Sequence, residues 1–265
     1  MNKKHIVLFD MDGTLTPPRE EFDKRLLQSL RELSLYAEIG IVTGSDIDYV
    51  QNQMKTIIKF SELRYKIHLL PCNGTKHYKP PQNSDDEHKL IHKTDMKKHL
   101  GDSCFRQIMM VLLAEQESMC YTHIPLTGHF ISYRDSMINW CPIGRNADHK
   151  QREKFVRLDK SSNPSLRERH LDKIKYKMNL RCPREVIVKL GGETSFDIYP
   201  VGWDKTYALK HFEDHICWFV GDRCGADGND KEIFELLKKE NRSFWTKDTN
   251  DTRQIIERNI LPKLR

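Results

Sequence analysis

The sequence predicts an α/β fold, a doubly wound parallel sheet interrupted by an inserted α+β domain. Three observations carry that prediction. Apolar runs alternate with helical periodicity from Ile6 to Gly74; strand-like segments then neighbour one another; and the alternation returns at Gly202.

Ile6-Val-Leu-Phe9 is a short apolar run ending at Asp10, the pattern of a buried strand. After a turn at Pro17-Pro18, Phe22, Leu26, Leu27, Leu30 and Leu33 recur close to one helix face. Ile39-Gly-Ile-Val-Thr43 reads as a second buried strand. It ends at Gly44-Ser45-Asp46, where Ser45 or Asp46 can cap a helix carrying Ile47, Val50 and Met54. Lys66-Ile-His-Leu-Leu70 reads as a third strand, stopped by Pro71 and Asn73-Gly74.

Residues 79–89 are polar and contain proline, the composition of a linker or surface loop. Beyond them the sequence predicts a helix near 103–117 and strands at Gly128–Arg134 and Met137–Cys141. A charged helical region follows at about 148–178, then strands at Glu185–Leu190 and Ser195–Tyr199. From Gly202-Trp203-Asp204-Lys205 a helix runs through Leu209. The strand Ile216–Val220, a Gly-rich loop and a helix near 229–240 come next. The expected division is a catalytic core of 1–83 and 202–265 with an insert over 84–201. No internal repeat is evident.

At 265 residues, 38% hydrophobic and 31% charged, the chain has the composition of a soluble globular protein. Seven cysteines without a CxxC pair argue against a disulfide framework or thiolate zinc site. The opening MNKKHIVLFD lacks the longer apolar region and cleavage site of a signal peptide, and no window approaches a membrane span. A cytoplasmic location with reduced thiols is therefore expected, with no membrane partner. The net charge of +6 suits a small anionic ligand. The basic residues are dispersed and carry no nucleic-acid-binding signature, so no nucleic-acid partner is expected.

Ligands of open parallel sheets bind beyond the carboxyl ends of the strands, and four such places here carry chemistry. Asp10 and Asp12 follow the first strand; a carboxylate there can attack phosphorus while its neighbour transfers a proton. Thr43-Gly44-Ser45 offers a hydroxyl and backbone N–H groups at a helix start. Lys205 could neutralise phosphate oxygens. Asp222 leads into an acidic loop ending at Asp230, suited to Mg²⁺. Each has a plain alternative: a turn, a helix cap, a solvent-facing lysine, a surface loop. Their order, each at a strand end or helix start, joins them into one site.

These segments resemble the four motifs of the haloacid dehalogenase superfamily of phosphotransferases. The resemblance implies a core of that type, with Asp10 as nucleophile and Asp12 as general acid/base. It implies that Thr43 contacts phosphate and that Lys205 neutralises charge. Mg²⁺ would be held by Asp10, the Asp12 carbonyl and Asp222, supported by Asp230. Thr16-Pro-Pro-Arg19, Tyr133-Arg134, Asn139-Trp-Cys-Pro-Ile-Gly-Arg145, Ser195-Phe-Asp197 and Gly202-Trp-Asp-Lys205 further resemble the eukaryotic-type phosphomannomutases, from about residue 6 to 258. By that match the insert is a substrate-specificity cap, and Arg19, Arg134, Arg145, Arg152, Ser195 and Asp197 contact substrate.

The implied reaction interconverts mannose 1-phosphate and mannose 6-phosphate through an aspartyl-phosphate enzyme and a hexose bisphosphate, feeding GDP-mannose synthesis. A hexose 1,6-bisphosphate is the implied activator, and glucose 1-phosphate a further candidate substrate. A homodimer through the cap is implied as well. Three departures stand out. Thr43 replaces the first glycine of the family's Gly-Gly-Ser-Asp, and Cys72 precedes Asn73-Gly74 where the family has Glu. Glu235-Leu-Leu-Lys stands in place of the Thr-Asp-Pro that supplies an extra cation site. A sugar-phosphate phosphatase of the same superfamily is the alternative activity, because it shares every core residue.

Overall fold

Ile6, Val7, Leu8 and Phe9 have no exposed surface. In the computed structural model of the chain, which describes residues 3–17, 24–120, 123–183, 185–226 and 228–265, they end the strand β1 (Lys4–Phe9). Successive strand residues point to opposite faces. Val7 and Phe9 accordingly join one apolar cluster with Leu26, Leu30, Val50 and Ile256. Ile6 and Leu8 join another with Ala208, Phe219, Ile233 and Leu237. Burial on both faces is what a parallel sheet sandwiched by helices demands.

The chain continues through α1 (Lys24–Leu33), β2 (Glu38–Val42), α2 (Ile47–Gln53), α3 (Lys55–Phe60), β3 (Ile67–Leu70), β4 (Lys76–Lys79) and β5 (Lys89–Lys93). The insert follows as α4 (Met96–Cys120), β6 (Ile131–Tyr133), β7 (Ile138–Trp140), α5 (His149–Asp159), α6 (Leu166–Arg181), β8 (Val186–Gly191) and β9 (Ser195–Pro200). A 3₁₀ turn at Lys205–His211 leads into β10 (His215–Gly221), α7 (Lys231–Lys238), β11 (Ser243–Trp245), α8 (Thr249–Ile255) and α9 (Leu261–Leu264). Two compact units result, Met1–Lys93 with Trp203–Arg265, and Thr94–Gly202.

The first unit holds a seven-stranded sheet ordered β11-β10-β1-β2-β3-β4-β5. From β11 to β3 the neighbours are parallel, while β4 and β5 are antiparallel additions. β2 and β3 lie on one side of β1, and β10 and β11 on the other. The chain order therefore reverses at the β1–β10 boundary, where ligands of such sheets bind.

The second unit has an antiparallel sheet, β6-β7-β9-β8. Asn139 is paired with Ser132 on one side and Asp197 on the other, and Lys189 lies beyond Asp197. These four form a polar face. Trp140 and Phe196 occupy the opposite face, stacked at 4.7 Å between ring centres. The Trp140 indole donates to Gln116 of α4 at 2.7 Å.

Most segments fall within a few residues of their expected places, with two differences in the helices. Phe22 lies outside the described residues. The helical region expected over 148–178 is two helices, each opened by a capping box, Asp148 with Gln151 and Ser165 with Glu168. The expected helix after Lys205 is a 3₁₀ turn. The stretch 79–89 is, as one of its two expected readings had it, a surface loop; it joins the hairpin β4–β5, whose outer strand is largely exposed and begins and ends in lysine, as sheet edges often do. Among the described residues no helix is long and apolar enough to cross a membrane.

β3, β4, β5 and the 3₁₀ turn gather four histidines. His68 places one ring nitrogen 2.8 Å from His77 and the other 3.2 Å from Glu38. His211 sits between His77 and His92, its ring tilted to the first and edge-on to the second with ring centres 4.6 and 4.8 Å away, and its Nε2 lies 2.8 Å from the Gly74 carbonyl. His92 Nε2 is 3.1 Å from the Tyr207 hydroxyl. Burial, helped by His211, pushes His77 down to about 3. Burial also lowers His92 and His211. The His68 hydrogen bond holds Glu38 down at about 2.

A histidine whose folded pKa lies below its unfolded value takes up its proton on unfolding. Stability is therefore complete above about pH 6.5 and is lost as pH falls toward the folded value. The melting temperature is expected to drop by roughly 3 °C or more between pH 7.5 and 5.5, and His77→Gln to flatten that slope. Calorimetric melts across the range check both.

Candidate active site

Asp10 follows β1 directly, and its N–H bonds the Val220 carbonyl of β10 at 2.9 Å. This bond fixes the nucleophile candidate at the strand boundary where chain order reverses. The chain then turns sharply, with the N–H groups of Leu15 and Thr16 both donating to the Met11 carbonyl. Gly13 makes the turn at φ +84°, and a Cβ there would collide with the Asp222 carboxylate. Both the backbone angle and the close approach require glycine.

Lys205 opens the 3₁₀ turn, which the Asp204 side chain caps at Thr206 N, 2.8 Å away. Its side chain is fully buried, with Nζ bonded to an Asp10 oxygen and to Asp230 Oδ1 at 2.5 Å. Asp230 Oδ2 accepts from the Arg223 N–H at 3.0 Å. Asp222, half-buried, completes the group. Asp10, Asp222 and Asp230 each offer an oxygen, and the three lie within 4.8 Å of one another.

Three carboxylates face one ammonium, leaving two negative charges in a buried site. Burial holds the Asp10 carboxyl well above its usual range; Asp230 and Asp222 add to the shift while Lys205 opposes it. Burial and Asp230 likewise raise Asp222. Burial works against the Lys205 ammonium, but Asp10 and Asp230 outweigh it, so Lys205 stays charged. Asp222 Oδ1 is buried with no hydrogen-bond partner among the described residues. An unpaired carboxylate oxygen there is costly. A hard divalent cation would satisfy it, and an all-oxygen set fits Mg²⁺.

Asp12 Oδ1 accepts from the Tyr49 hydroxyl at 3.0 Å. Tyr49 stands in the first turn of α2, where its N–H is capped by Asp46 at 3.1 Å. Thr43 is buried after β2, and its hydroxyl oxygen accepts from the Ser45 N–H at 3.2 Å. The Asn73 N–H donates to the Thr43 carbonyl, and its side chain to the Trp203 carbonyl. The loops carrying Thr43 and Lys205 are thereby tied through Asn73.

In the insert, Arg145 Nη1 donates to Asn139 Oδ1 at 2.8 Å. Asn139 Nδ2 donates to Asp197 Oδ1 at 2.7 Å and to Ser195 Oγ at 3.0 Å. Arg152, on α5, donates to the Thr194 hydroxyl at 3.0 Å. Arg134 takes a separate, buried place in the turn after β6. Arg19 lies outside the described residues.

The candidates from the sequence thus form two groups: Asp10, Lys205, Asp222 and Asp230, with Asp12 and Thr43 on the adjoining strand ends, and Arg145, Ser195 and Asp197 around Asn139. Two residues escaped the sequence reading. Tyr49 carried no signal, since a tyrosine in a helix's first turn has many uses. Asn139 carried one, because an amide inside the apolar stretch Met137–Cys141 must find buried partners.

The family model of eukaryotic phosphomannomutase matches residues 25–262. A phosphomannomutase of Arabidopsis thaliana is 36% identical over 259 residues, covering 92% of each chain. Among solved structures, an N-terminally truncated IMP-nucleotidase of Plasmodium falciparum superposes with a TM-score of 0.65 at 14% identity, over 96% of this chain and 70% of that one. A haloacid dehalogenase-like hydrolase from B. subtilis gives 0.60 at 16% identity, over 96% and 99%. At such identities these two likenesses concern the fold alone, and the fold is that of the haloacid dehalogenase-like hydrolases.

If the carboxylates seat Mg²⁺, the ion should raise the melting temperature, by about 2.7 kcal/mol of stability at a hundredfold excess over its dissociation constant. Asp222→Asn should abolish the shift. Melts with and without millimolar Mg²⁺ measure it independently of activity.

Proposed function

This chain belongs to the eukaryotic phosphomannomutase family, and from that premise we propose that it interconverts mannose 1-phosphate and mannose 6-phosphate. One observation carries the reading. Buried Lys205 bridges Asp10 and Asp230 beside Asp222, an arrangement suited to transferring a phosphoryl group to and from a carboxylate.

In the proposed cycle, phosphorylated Asp10 gives its phosphoryl group to a hexose monophosphate, forming a bisphosphate. The P–O bond to Asp10 breaks as the bond to the sugar oxygen forms. After the sugar turns round, an Asp10 oxygen attacks the other phosphate and the sugar oxygen leaves. Lys205 keeps Asp10 oriented and offsets charge on the transferring group. Asp12, braced by Tyr49, takes the proton of the accepting hydroxyl and returns one to the leaving oxygen. Thr43 offers a phosphate contact at the end of β2.

When bound, Mg²⁺ would be held by Asp10, the Asp12 carbonyl and Asp222 with Asp230 in support, supplying positive charge to the phosphoryl oxygens. The distal phosphate is assigned to Arg19, Arg134, Arg145 and Arg152, because a guanidinium fork can bind phosphate through two charge-assisted bonds. Ser195 and Asp197 are assigned to the sugar hydroxyls. The finer parts of the reading rest on family membership: priming by a hexose 1,6-bisphosphate, supply of GDP-mannose synthesis, and a cytoplasmic dimer through the insert. Exposed Met110, Leu113, Tyr176 and Leu180 on α4 and α6 give such a dimer apolar surface.

Mannose 1-phosphate supplied with Mg²⁺ and a trace of glucose 1,6-bisphosphate tests the reading, with mannose 6-phosphate and free phosphate followed together. Mannose 6-phosphate without matching free phosphate is expected, and Asp10→Asn should lower kcat at least a thousandfold while remaining folded. Free phosphate without the isomer would instead establish a phosphatase.

A further inference from the structure

Asn139 sits on the inner strand β7, about 3% exposed, with every polar atom of its amide engaged. The orientation of that amide is forced. A guanidinium only donates, so the atom 2.8 Å from Arg145 Nη1 must be the oxygen; a carboxylate only accepts, so the atom 2.7 Å from Asp197 Oδ1 must be the nitrogen. The second amide hydrogen then goes to Ser195 Oγ at 3.0 Å.

That bond settles the role of the serine. Ser195 Oγ has one hydrogen and gives it to the Gly191 carbonyl at 2.6 Å. Gly191 is opposite Ser195 in the sheet, and a Cβ there would meet the Asp197 carboxylate at 2.6 Å. With its hydrogen committed and one lone pair taken by Asn139, Ser195 has only a lone pair to present to a ligand. Asp197, as a carboxylate, also presents only lone pairs.

We propose, resting on the mutase reading above, that Asn139 is a positioning residue that makes Ser195 and Asp197 acceptors, so the insert selects sugar hydroxyls that donate hydrogen bonds. No other side chain of this size gives two donors to Ser195 and Asp197 and an acceptor to Arg145. Aspartate in its place would turn a lone pair toward Asp197 and leave Ser195 without its donor. Selectivity follows: a C–F group cannot donate, so fluorine in place of a recognised hydroxyl removes the contact while barely changing size.

The test compares KM and kcat for mannose 1-phosphate and its 3- and 4-deoxyfluoro analogues in the unaltered protein, Asn139→Ala and Asn139→Asp, with melting temperatures as the control for folding. At least one fluorine replacement should raise KM tenfold or more in the unaltered protein and less than threefold in Asn139→Ala. Asn139→Asp should raise KM for mannose 1-phosphate itself about tenfold, with kcat within threefold. A purely structural Asn139 would lower stability and kcat but leave the fluoro-to-hydroxyl KM ratio unchanged, and that result overturns the inference. Indifference of the unaltered protein to both analogues overturns it as well, even if neither variant folds. Absence of mannose 6-phosphate from the unmodified substrate removes the mutase reading and this inference together. Normal turnover with an unchanged ratio removes the inference alone.

Discussion

A fully buried lysine held between two aspartates is the constraint around which the first unit is arranged. Such a charge persists only if its partners are fixed to rigid elements, because a buried ammonium left alone is expensive. Asp10 is fixed by β1 and by its bond to Val220, and Asp230 by its contact with the Arg223 N–H. Lys205 is fixed by the Asp204-capped turn and by the Asn73 bridge from the loop after β3. Removing Asp10 or Asp230 would leave the buried ammonium short of a counter-charge.

The lysine neutralises one carboxylate among three, so the site keeps excess negative charge, and that excess explains its chemistry. Burial, with the neighbouring carboxylates adding to it, holds Asp10 and Asp222 above their usual range, and the excess charge calls for a cation. The insert has the opposite character: a polar sheet face where one amide organises an arginine, a serine and an aspartate.

Much of this was legible in the sequence because the decisive residues stand at strand ends. Asp10, Thr43 and Asp222 each follow an apolar run, so their placement needs only the run and the rule that ligands gather beyond strand termini. The double-wound sheet was legible for the same reason. Pairings across large sequence separations were not. Nothing in the local pattern joins Tyr49 to Asp12, or brings His68, His77, His92 and His211 together, since these contacts exist only once the sheet has formed. The β4–β5 hairpin was hidden because its strands are short, β4 is polar and β5 is largely exposed, which erases apolar alternation. The break between α5 and α6 was there to be read in Ser161-Ser-Asn-Pro-Ser165 and in the cap at Ser165 with Glu168, but the charged helical stretches on either side masked it.

Asp10 is the residue proposed above to carry the phosphoryl group. The most direct measurement is to mix the protein with Mg²⁺ and glucose 1,6-bisphosphate labelled in both phosphates, quench in acid within milliseconds, and map the label by peptide mass. One phosphoryl group on the peptide containing Asp10 is expected, at a rate that keeps pace with turnover. Label on another residue, or steady turnover with no label on Asp10, would contradict it.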